Sequence, residues 1–127
     1  MLKTILLVDD NKATNFIHKK FILKADCTKE VLTFQAGRKA IEYLTKASKP
    51  PELIFVDINM PTMDAWEFLE CYNGLLPNGN NNSKVILLTT SLSPRDNEKI
   101  KSYLLIAEVV LKPLTPEMIQ GIIKRYF

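Results

Sequence analysis

The chain has 127 residues, of which 46% are hydrophobic and 24% are charged, and its formal net charge is +3. These values are ordinary for one soluble globular domain, and the length leaves no room for a second one. The sequence has no apolar run of the roughly 18 residues that a membrane span needs. The apolar start at Ile5–Val8 is too short for a signal peptide. Lysine and arginine are scattered, so neither a nucleic acid nor a membrane is predicted as a partner.

The two cysteines indicate the redox environment of the protein. Cys27 and Cys71 stand far apart, without the spacing of a metal site or a redox motif. We therefore expect two reduced structural thiols in a cytoplasmic protein.

Short apolar runs alternate with segments of helical periodicity along the whole chain. The runs that predict strands are Ile5–Val8, Val31–Phe34, Leu53–Val56, Val85–Leu88 and Val109–Leu111. The side chains expected to face the core from the first three helices are Ala13, Phe16, Ile17 and Phe21, then Ala40, Ile41 and Leu44, then Ala65, Phe68, Leu69 and Tyr72.

The last two helices have clear start signals. Ser93-Pro94 and Thr115-Pro116 each combine a capping residue with a proline at the first helical position. The fourth helix is expected to bury Ile100 and Leu104. The fifth presents Met118, Ile119, Ile122, Ile123 and Tyr126. The segment from Asn73 to Ser83 is rich in turn-forming residues and is predicted as a loop without function.

This alternation predicts an α/β fold in which helices cover both faces of a five-stranded parallel sheet. The common strand order is 2-1-3-4-5, the flavodoxin-like (βα)5 three-layer sandwich. Strands one and three are then neighbours at the topological switch point, where ligands bind at the carboxyl ends of the strands. Asp9-Asp10 ends strand one and Asp57 ends strand three. The fold therefore predicts a functional site at these acids.

Three carboxylates and one lysine are expected to meet at that edge. Lys112 follows strand five, which leaves an excess of negative charge beside Asp9, Asp10 and Asp57. This excess of negative charge suits Mg²⁺, which prefers oxygen ligands and keeps room for phosphate oxygens. An alternative for Asp9-Asp10 is a helix cap before the first helix.

A carboxylate, a divalent cation and a lysine together suit phosphoryl transfer. Asp57 can attack a phosphoryl group and form an aspartyl phosphate. The cation and Lys112 neutralise the charge, which is the main requirement of this reaction. A hydroxyl at the end of strand four, from Thr89 or Thr90, can bond another phosphoryl oxygen.

These residues match the pattern of a known family. Val8-Asp9-Asp10-Asn11, Asp57-Ile58-Asn59-Met60-Pro61, Thr89-Thr90-Ser91 and Lys112-Pro113 occur in this order. The sequence resembles, over its whole length, the receiver domain of two-component response regulators, most closely a single-domain receiver of the chemotaxis-regulator type.

The resemblance implies a role for each matching residue. Asp57 would be the phosphoacceptor, with a histidine kinase, a histidine phosphotransfer protein or a small phosphodonor as the donor. Asp10, Asp57 and the backbone carbonyl of Asn59 would ligate Mg²⁺, and Asp9 would do so through water.

The remaining motif residues would contact the phosphoryl group or shape its loop. Lys112 would pair with the phosphoryl group and Pro113 would follow in a cis peptide. The family's spacing between lysine and threonine selects Thr90 as the switch residue, with the small Ser91 leaving room beside it.

Three further positions are interpreted with the family in view. Val109 stands where receivers commonly carry an aromatic ring that turns inward on activation, so this part of the switch is absent or rerouted. His18 is expected to be an exposed polar residue. Trp66 is expected to be partly exposed near the site.

The sequence thus predicts one receiver domain over residues 1–127, without an output domain on this chain, that switches a surface on helix four, strand five and helix five. The downstream partner is expected to be a protein. The alternative to a stand-alone receiver is a domain excised from a longer hybrid kinase or regulator. A phosphorylation-independent docking module with the same fold is the alternative. A phosphohydrolase of the haloacid dehalogenase type is disfavoured, because its Asp-x-Asp motif on the first strand and its cap domain are missing.

Overall fold

The computed structural model describes residues 1–75 and 83–127, in which five strands and five helices alternate. The strands are β1 (Leu2–Val8), β2 (Thr28–Phe34), β3 (Leu53–Asp57), β4 (Lys84–Thr89) and β5 (Ile106–Leu111). The helices are α1 (Lys12–Lys24), α2 (Gly37–Lys46), α3 (Ala65–Leu75), α4 (Pro94–Ile100) and α5 (Pro116–Tyr126). Every predicted strand exists, and all five are longer than their predicted apolar runs because flanking residues, most of them polar, also belong to the strands.

All strand pairs are parallel and the order is β2-β1-β3-β4-β5, which confirms the predicted fold class. Val8 of β1 lies opposite Val56 of β3, so Asp9 and Asp57 follow paired residues on neighbouring strands. Thr89 of β4 is paired with Leu111 of β5. The register of the sheet alone therefore brings three chain segments with polar side chains to one edge.

Helices cover both faces of the sheet, and each face has its own hydrophobic cluster. One cluster joins alternate strand residues such as Leu6 and Val56 to α2 and α3. The other joins Leu7 and Phe55 to α1 and α5. Every residue of β3 is buried, as expected for the central strand of a parallel sheet.

Helix starts follow the predicted caps. The hydroxyl of Ser93 accepts a hydrogen bond from the Asp96 N–H in a capping box, and Thr115 caps α5 through the Met118 N–H. The side chain of Asn11 caps α1 by accepting from the Thr14 N–H. These side chains satisfy amides that would otherwise lack partners at the helix ends.

The predicted core face of α1 is wrong for Ala13, Phe16 and Ile17, which are exposed, and is confirmed only for Phe21, which is partly buried against the cluster of α1 and α5. Phe16 and Ile17 are 63% and 46% exposed, whereas Asn15, His18 and Ile22 are buried. Two polar residues therefore point inward and an aromatic residue points to solvent. The cause is tertiary: the amide of Asn15 donates to the carbonyls of Asp9 and Phe34, at the ends of β1 and β2.

Two other predictions also need correction. Leu104 is fully exposed instead of buried, since α4 already ends at Ile100. The predicted loop begins too early, because α3 continues to Leu75, and Ser83 is buried with its hydroxyl 2.5 Å from the carbonyl of Pro51. The rest of that loop, residues 76–82, lies outside the described residues.

Within residues 1–75 and 83–127, no helix combines sufficient length with sufficient apolar character to cross a membrane.

The orientation of α1 can be tested with a pair of identical truncations. Phe55→Ala removes a ring that is fully buried and should lower the free energy of unfolding by about 3–5 kcal/mol. Phe16→Ala removes an exposed ring from a helix surface and should change it by less than about 0.5 kcal/mol. Urea unfolding at equilibrium measures both, and a large loss for Phe16→Ala would contradict the arrangement of α1.

Candidate functional site

The acids at the carboxyl edge of the sheet form one cluster. Asp9, Asp10 and Asp57 each have a carboxylate oxygen within 4.8 Å of the others. Asp9 and Asp57 are buried, at 2% and 6% exposure, while Asp10 is exposed. The cluster therefore has a buried floor and one carboxylate open to solvent.

Lys112 enters this cluster from the end of β5. Its ammonium lies 2.7 Å from Asp9 Oδ2 and 3.2 Å from Asp57 Oδ1. Its backbone N–H donates to the carbonyl of Thr89 at 2.8 Å, which continues the pairing of β4 with β5 past the last strand residue. Lys112 is thus a partly buried member of the site rather than a free surface lysine.

Electrostatics at the site are governed by burial and by the nearby charges. Burial raises the pKa of the Asp57 carboxyl, as does the carboxylate of Asp9, while Lys112 and a backbone hydrogen bond from Asn59 oppose the shift. For Lys112, burial lowers the pKa, but the contacts with Asp9 and Asp57 outweigh it and the pKa lies above its usual value. The lysine therefore stays charged, while the ionised form of Asp57 is disfavoured.

The two threonines at the end of β4, Thr89 and Thr90, have different surroundings. Thr89 is buried, and its hydroxyl donates to the carbonyl of Ser91 at 2.6 Å and accepts from the Ser91 N–H at 3.2 Å. Thr90 and Ser91 are exposed at the end of the strand. The hydroxyl of Thr89 is thus committed to the local turn.

The other predicted site residues also lie at this edge. Asn59 is exposed two residues after Asp57, and the Lys112–Pro113 peptide bond is cis. The cap alternative for Asp9-Asp10 is wrong, because the side chain that caps α1 belongs to Asn11. Asp9 instead accepts the Asn11 N–H at 2.9 Å with Oδ1, while its Oδ2 meets Lys112.

The sequence interpretation missed His18. This residue was expected to be exposed, yet it is 2% exposed, and its Nε2 accepts the N–H of Leu114 at 3.2 Å. One pattern pointed to it: Asn15, His18 and Ile22 have the i, i+3, i+7 spacing of a helix face. The more hydrophobic row through Phe16 obscured that face.

Trp66 is also more buried than expected, at 6% exposure. Its ring stacks on Tyr103 with centroids 5.9 Å apart, and the ammonium of Lys99 lies 5.6 Å from its centre. Trp66 is therefore in contact with the segment that leads from α4 to β5.

The residues present fit a Mg²⁺ ion. All candidate ligands are hard oxygen donors, and one of the three carboxylates faces solvent, so water can complete the coordination. One ammonium opposes three carboxylates, which leaves the net negative charge that a divalent cation requires.

The fold is a doubly wound α/β domain with acids at its topological switch point. Folds of this class bind ligands there, at the carboxyl ends of the strands. Comparison with known proteins gives the particular family. The family model described as response regulator receiver domain matches residues 5–124. This chain belongs to the receiver domains of two-component response regulators.

Individual relatives agree with this assignment. The chain is 32% identical over 99 residues to the hybrid signal transduction histidine kinase D of Dictyostelium discoideum, a match that covers 76% of this chain but only 6% of that protein. A two-component response regulator from Cytophaga hutchinsonii superposes with a TM-score of 0.86 at 30% identity, covering 98% of this chain and 96% of the other. The chemotaxis protein CheY4 of Vibrio cholerae gives a TM-score of 0.80 at 25% identity, with 100% of both chains covered.

The strain on Asp57 predicts a stability change. Because its folded-state pKa is raised above the unfolded value, the ionised carboxylate costs stability above that folded pKa, and the cost disappears as the pH falls toward the ordinary value. In metal-free buffer at pH 7, Asp57→Asn should therefore have a higher free energy of unfolding than the wild type, and the gain should shrink on acidification.

Urea unfolding across this pH range measures the effect. Asp26→Asn is the matched control, since Asp26 is exposed, remote from the cluster and in a left-handed conformation that Asn also adopts. A destabilised Asp57→Asn variant at pH 7 would show that the contact with Lys112 outweighs burial and repulsion.

Proposed function

We propose that this receiver domain is a phosphorylation-dependent switch whose phosphoacceptor is Asp57. The donor is the phosphohistidine of a histidine kinase or histidine phosphotransfer protein, or a small acyl phosphate. The observation that carries the proposal is the Asp57 carboxylate at the switch point, with the Lys112 ammonium 3.2 Å away and two further carboxylates beside it.

The transfer step follows from this geometry. An oxygen of Asp57 forms a bond to phosphorus while the bond from phosphorus to the donor nitrogen or acyl oxygen breaks. The electron pair of that bond leaves with the donor. Lys112 stays positive, as its raised pKa requires, and its ammonium moves from the Asp57 oxygen to a phosphoryl oxygen. Charge neutralisation of this kind is the main contribution of a protein to phosphoryl transfer.

The hydroxyl partner proposed for the phosphoryl group is Thr90. The alternative, Thr89, has its hydroxyl bonded to the backbone of Ser91, which leaves Thr90 as the threonine with an exposed hydroxyl at the end of β4. Ser91 is small enough to admit the phosphoryl group beside it.

Mg²⁺ is proposed as the cofactor. Asp10, Asp57 and the backbone carbonyl of Asn59 would hold it, with Asp9 contributing through water. When bound, the cation neutralises the carboxylates and the incoming phosphoryl oxygens. Asp9 keeps its salt bridge to Lys112 and so holds the ammonium at the site.

The proposed output surface consists of α4, β5 and α5. Leu92, Leu104 and Leu111 are exposed on or beside these elements, and Leu111 is 57% exposed on the edge strand. Phosphorylation would shift the population between two conformations of this surface. Val109 is partly buried against the cluster of α2 and α3. In place of an aromatic ring at that position, the Trp66 ring, which stacks on Tyr103, would sense a movement of the segment between α4 and β5.

The competing candidate is a docking module that works without phosphorylation. It retains the fold but gives no role to the raised pKa of Asp57 or to the partly buried ammonium of Lys112. We therefore favour the switch. In cells, the proposed setting is the cytoplasm, with a downstream protein as the target.

Phosphorylation is tested by intact mass after incubation with acetyl phosphate and Mg²⁺. The wild type should gain one phosphoryl group, and Asp57→Asn should gain none. Lys112→Met should be phosphorylated at least about tenfold more slowly, because an ammonium no longer neutralises the transferring group. Chelation of Mg²⁺ should also stop the reaction. An adduct that persists in Asp57→Asn would place the acceptor elsewhere, and no adduct in any form would favour the docking module.

Switching is tested by Trp66 fluorescence with a beryllium fluoride mimic of the phosphoryl group. Because Trp66 contacts Tyr103 and Lys99, its emission should change when the mimic binds in the presence of Mg²⁺ and should stay constant in Asp57→Asn. Lys99→Met serves as a control for the contribution of the lysine to the emission. If acetyl phosphate phosphorylates the wild type but its Trp66 emission stays constant with the mimic, an output through the segment between α4 and β5 is excluded.

A further inference from the structure

Helix α1 turns an imidazole into the protein interior. His18 is 2% exposed, on the same buried face as Asn15 and Ile22. The proposed phosphoryl chemistry uses no atom of this side chain. A buried imidazole costs free energy unless its nitrogens are bonded. Among the described residues Nδ1 has no hydrogen-bond partner, so the contact of Nε2 is the one hydrogen bond that offsets the burial of the ring.

That contact anchors the loop that follows Lys112. Nε2 of His18 accepts the N–H of Leu114 at 3.2 Å, and Leu114 is fully buried. Pro113 has no N–H, so the Leu114 amide is the first backbone donor after Lys112. On its other side, Lys112 donates its own N–H to the carbonyl of Thr89. Lys112 is therefore held between one anchor on β4 and one on α1.

The protonation state of His18 suits this role. Burial lowers the pKa of His18; the charge of Asp9 opposes this shift, and the charge of Lys112 adds to it. A neutral imidazole that accepts at Nε2 carries its proton on Nδ1. The Nδ1–H tautomer is thus the form that holds the Leu114 amide.

We propose that His18 is a positioning residue for phosphoryl transfer, acting through the Leu114 amide to hold the Lys112 ammonium between Asp9 and Asp57. The inference rests on the proposed function of the site. Without the Nε2 acceptor, the Leu114 N–H loses its buried partner and the segment from Lys112 to Leu114 shifts to find another. A small displacement of a charge-neutralising group lowers the rate of the chemical step more than it lowers substrate binding.

The decisive comparison is between His18→Leu, which removes the acceptor, and His18→Gln, whose side-chain carbonyl replaces it. The maximal phosphorylation rate with acetyl phosphate and saturating Mg²⁺ should fall about ten- to a hundredfold in His18→Leu. The half-saturating acetyl phosphate concentration should change little. His18→Gln should recover most of the rate. Ile22→Val, on the same buried face, controls for altered packing of α1 and should react like the wild type.

A second measurement does not depend on activity. Two-bond ¹H–¹⁵N correlation spectra of His18 in the unphosphorylated wild type should have the pattern of the Nδ1–H tautomer, and the Leu114 amide resonance should move in His18→Leu. Wild-type rates in His18→Leu, equal losses in both His18 variants, or an Nε2–H tautomer would each overturn the proposal. If the wild type itself accepts no phosphoryl group, the proposed function fails and this role fails with it.

Discussion

The proposed chemistry of the site depends on one ammonium among three carboxylates. Asp9, Asp10 and Asp57 repel one another at close range, and Lys112 offsets only part of that repulsion through its contacts with two of them. The remaining negative charge is the physical reason for the proposed affinity for a divalent cation. It also explains why the lysine must be held accurately, since the protein supplies no other cation among the described residues of this cluster.

The strand order fixes the positions of the acids and of Lys112. Because β1 and β3 are neighbours, their carboxyl ends place Asp9 and Asp57 side by side, and the pairing of β4 with β5 extends through Lys112 to the site. The hydrophobic clusters on the two faces fix the sheet but contribute no polar atom to the acids. Fold stability and site chemistry are thus carried by different residues, and they meet where α1 packs Asn15 and His18 against the strand ends.

Periodicity and end signals predicted the strands, the caps at Ser93 and Thr115 and the acids at the strand ends, because these features depend on local chain properties. The strand order came instead from the topology that is common among five-stranded parallel sheets. The inward face of α1 was not predictable in this way. Its polar residues are buried because strand-end carbonyls and the Leu114 amide, distant in sequence, need partners there. Hydrophobicity favoured Phe16 for the core, and only the tertiary structure reverses that preference. The prediction for Leu104 was wrong because α4 ends at Ile100, so the helical spacing that paired Leu104 with Ile100 does not apply.

Helix α4 has a further consequence. None of its seven residues, all of which the structure describes, is buried, and its start is fixed by a capping box instead of a core contact. So short a helix has little stability of its own, and regions with few buried contacts open at low free-energy cost. In the proposed switch, substitutions in α4 would therefore alter the resting balance between conformers while leaving global stability almost unchanged. A lineage can adjust the sensitivity of such a domain by mutating α4, without endangering the fold that carries it.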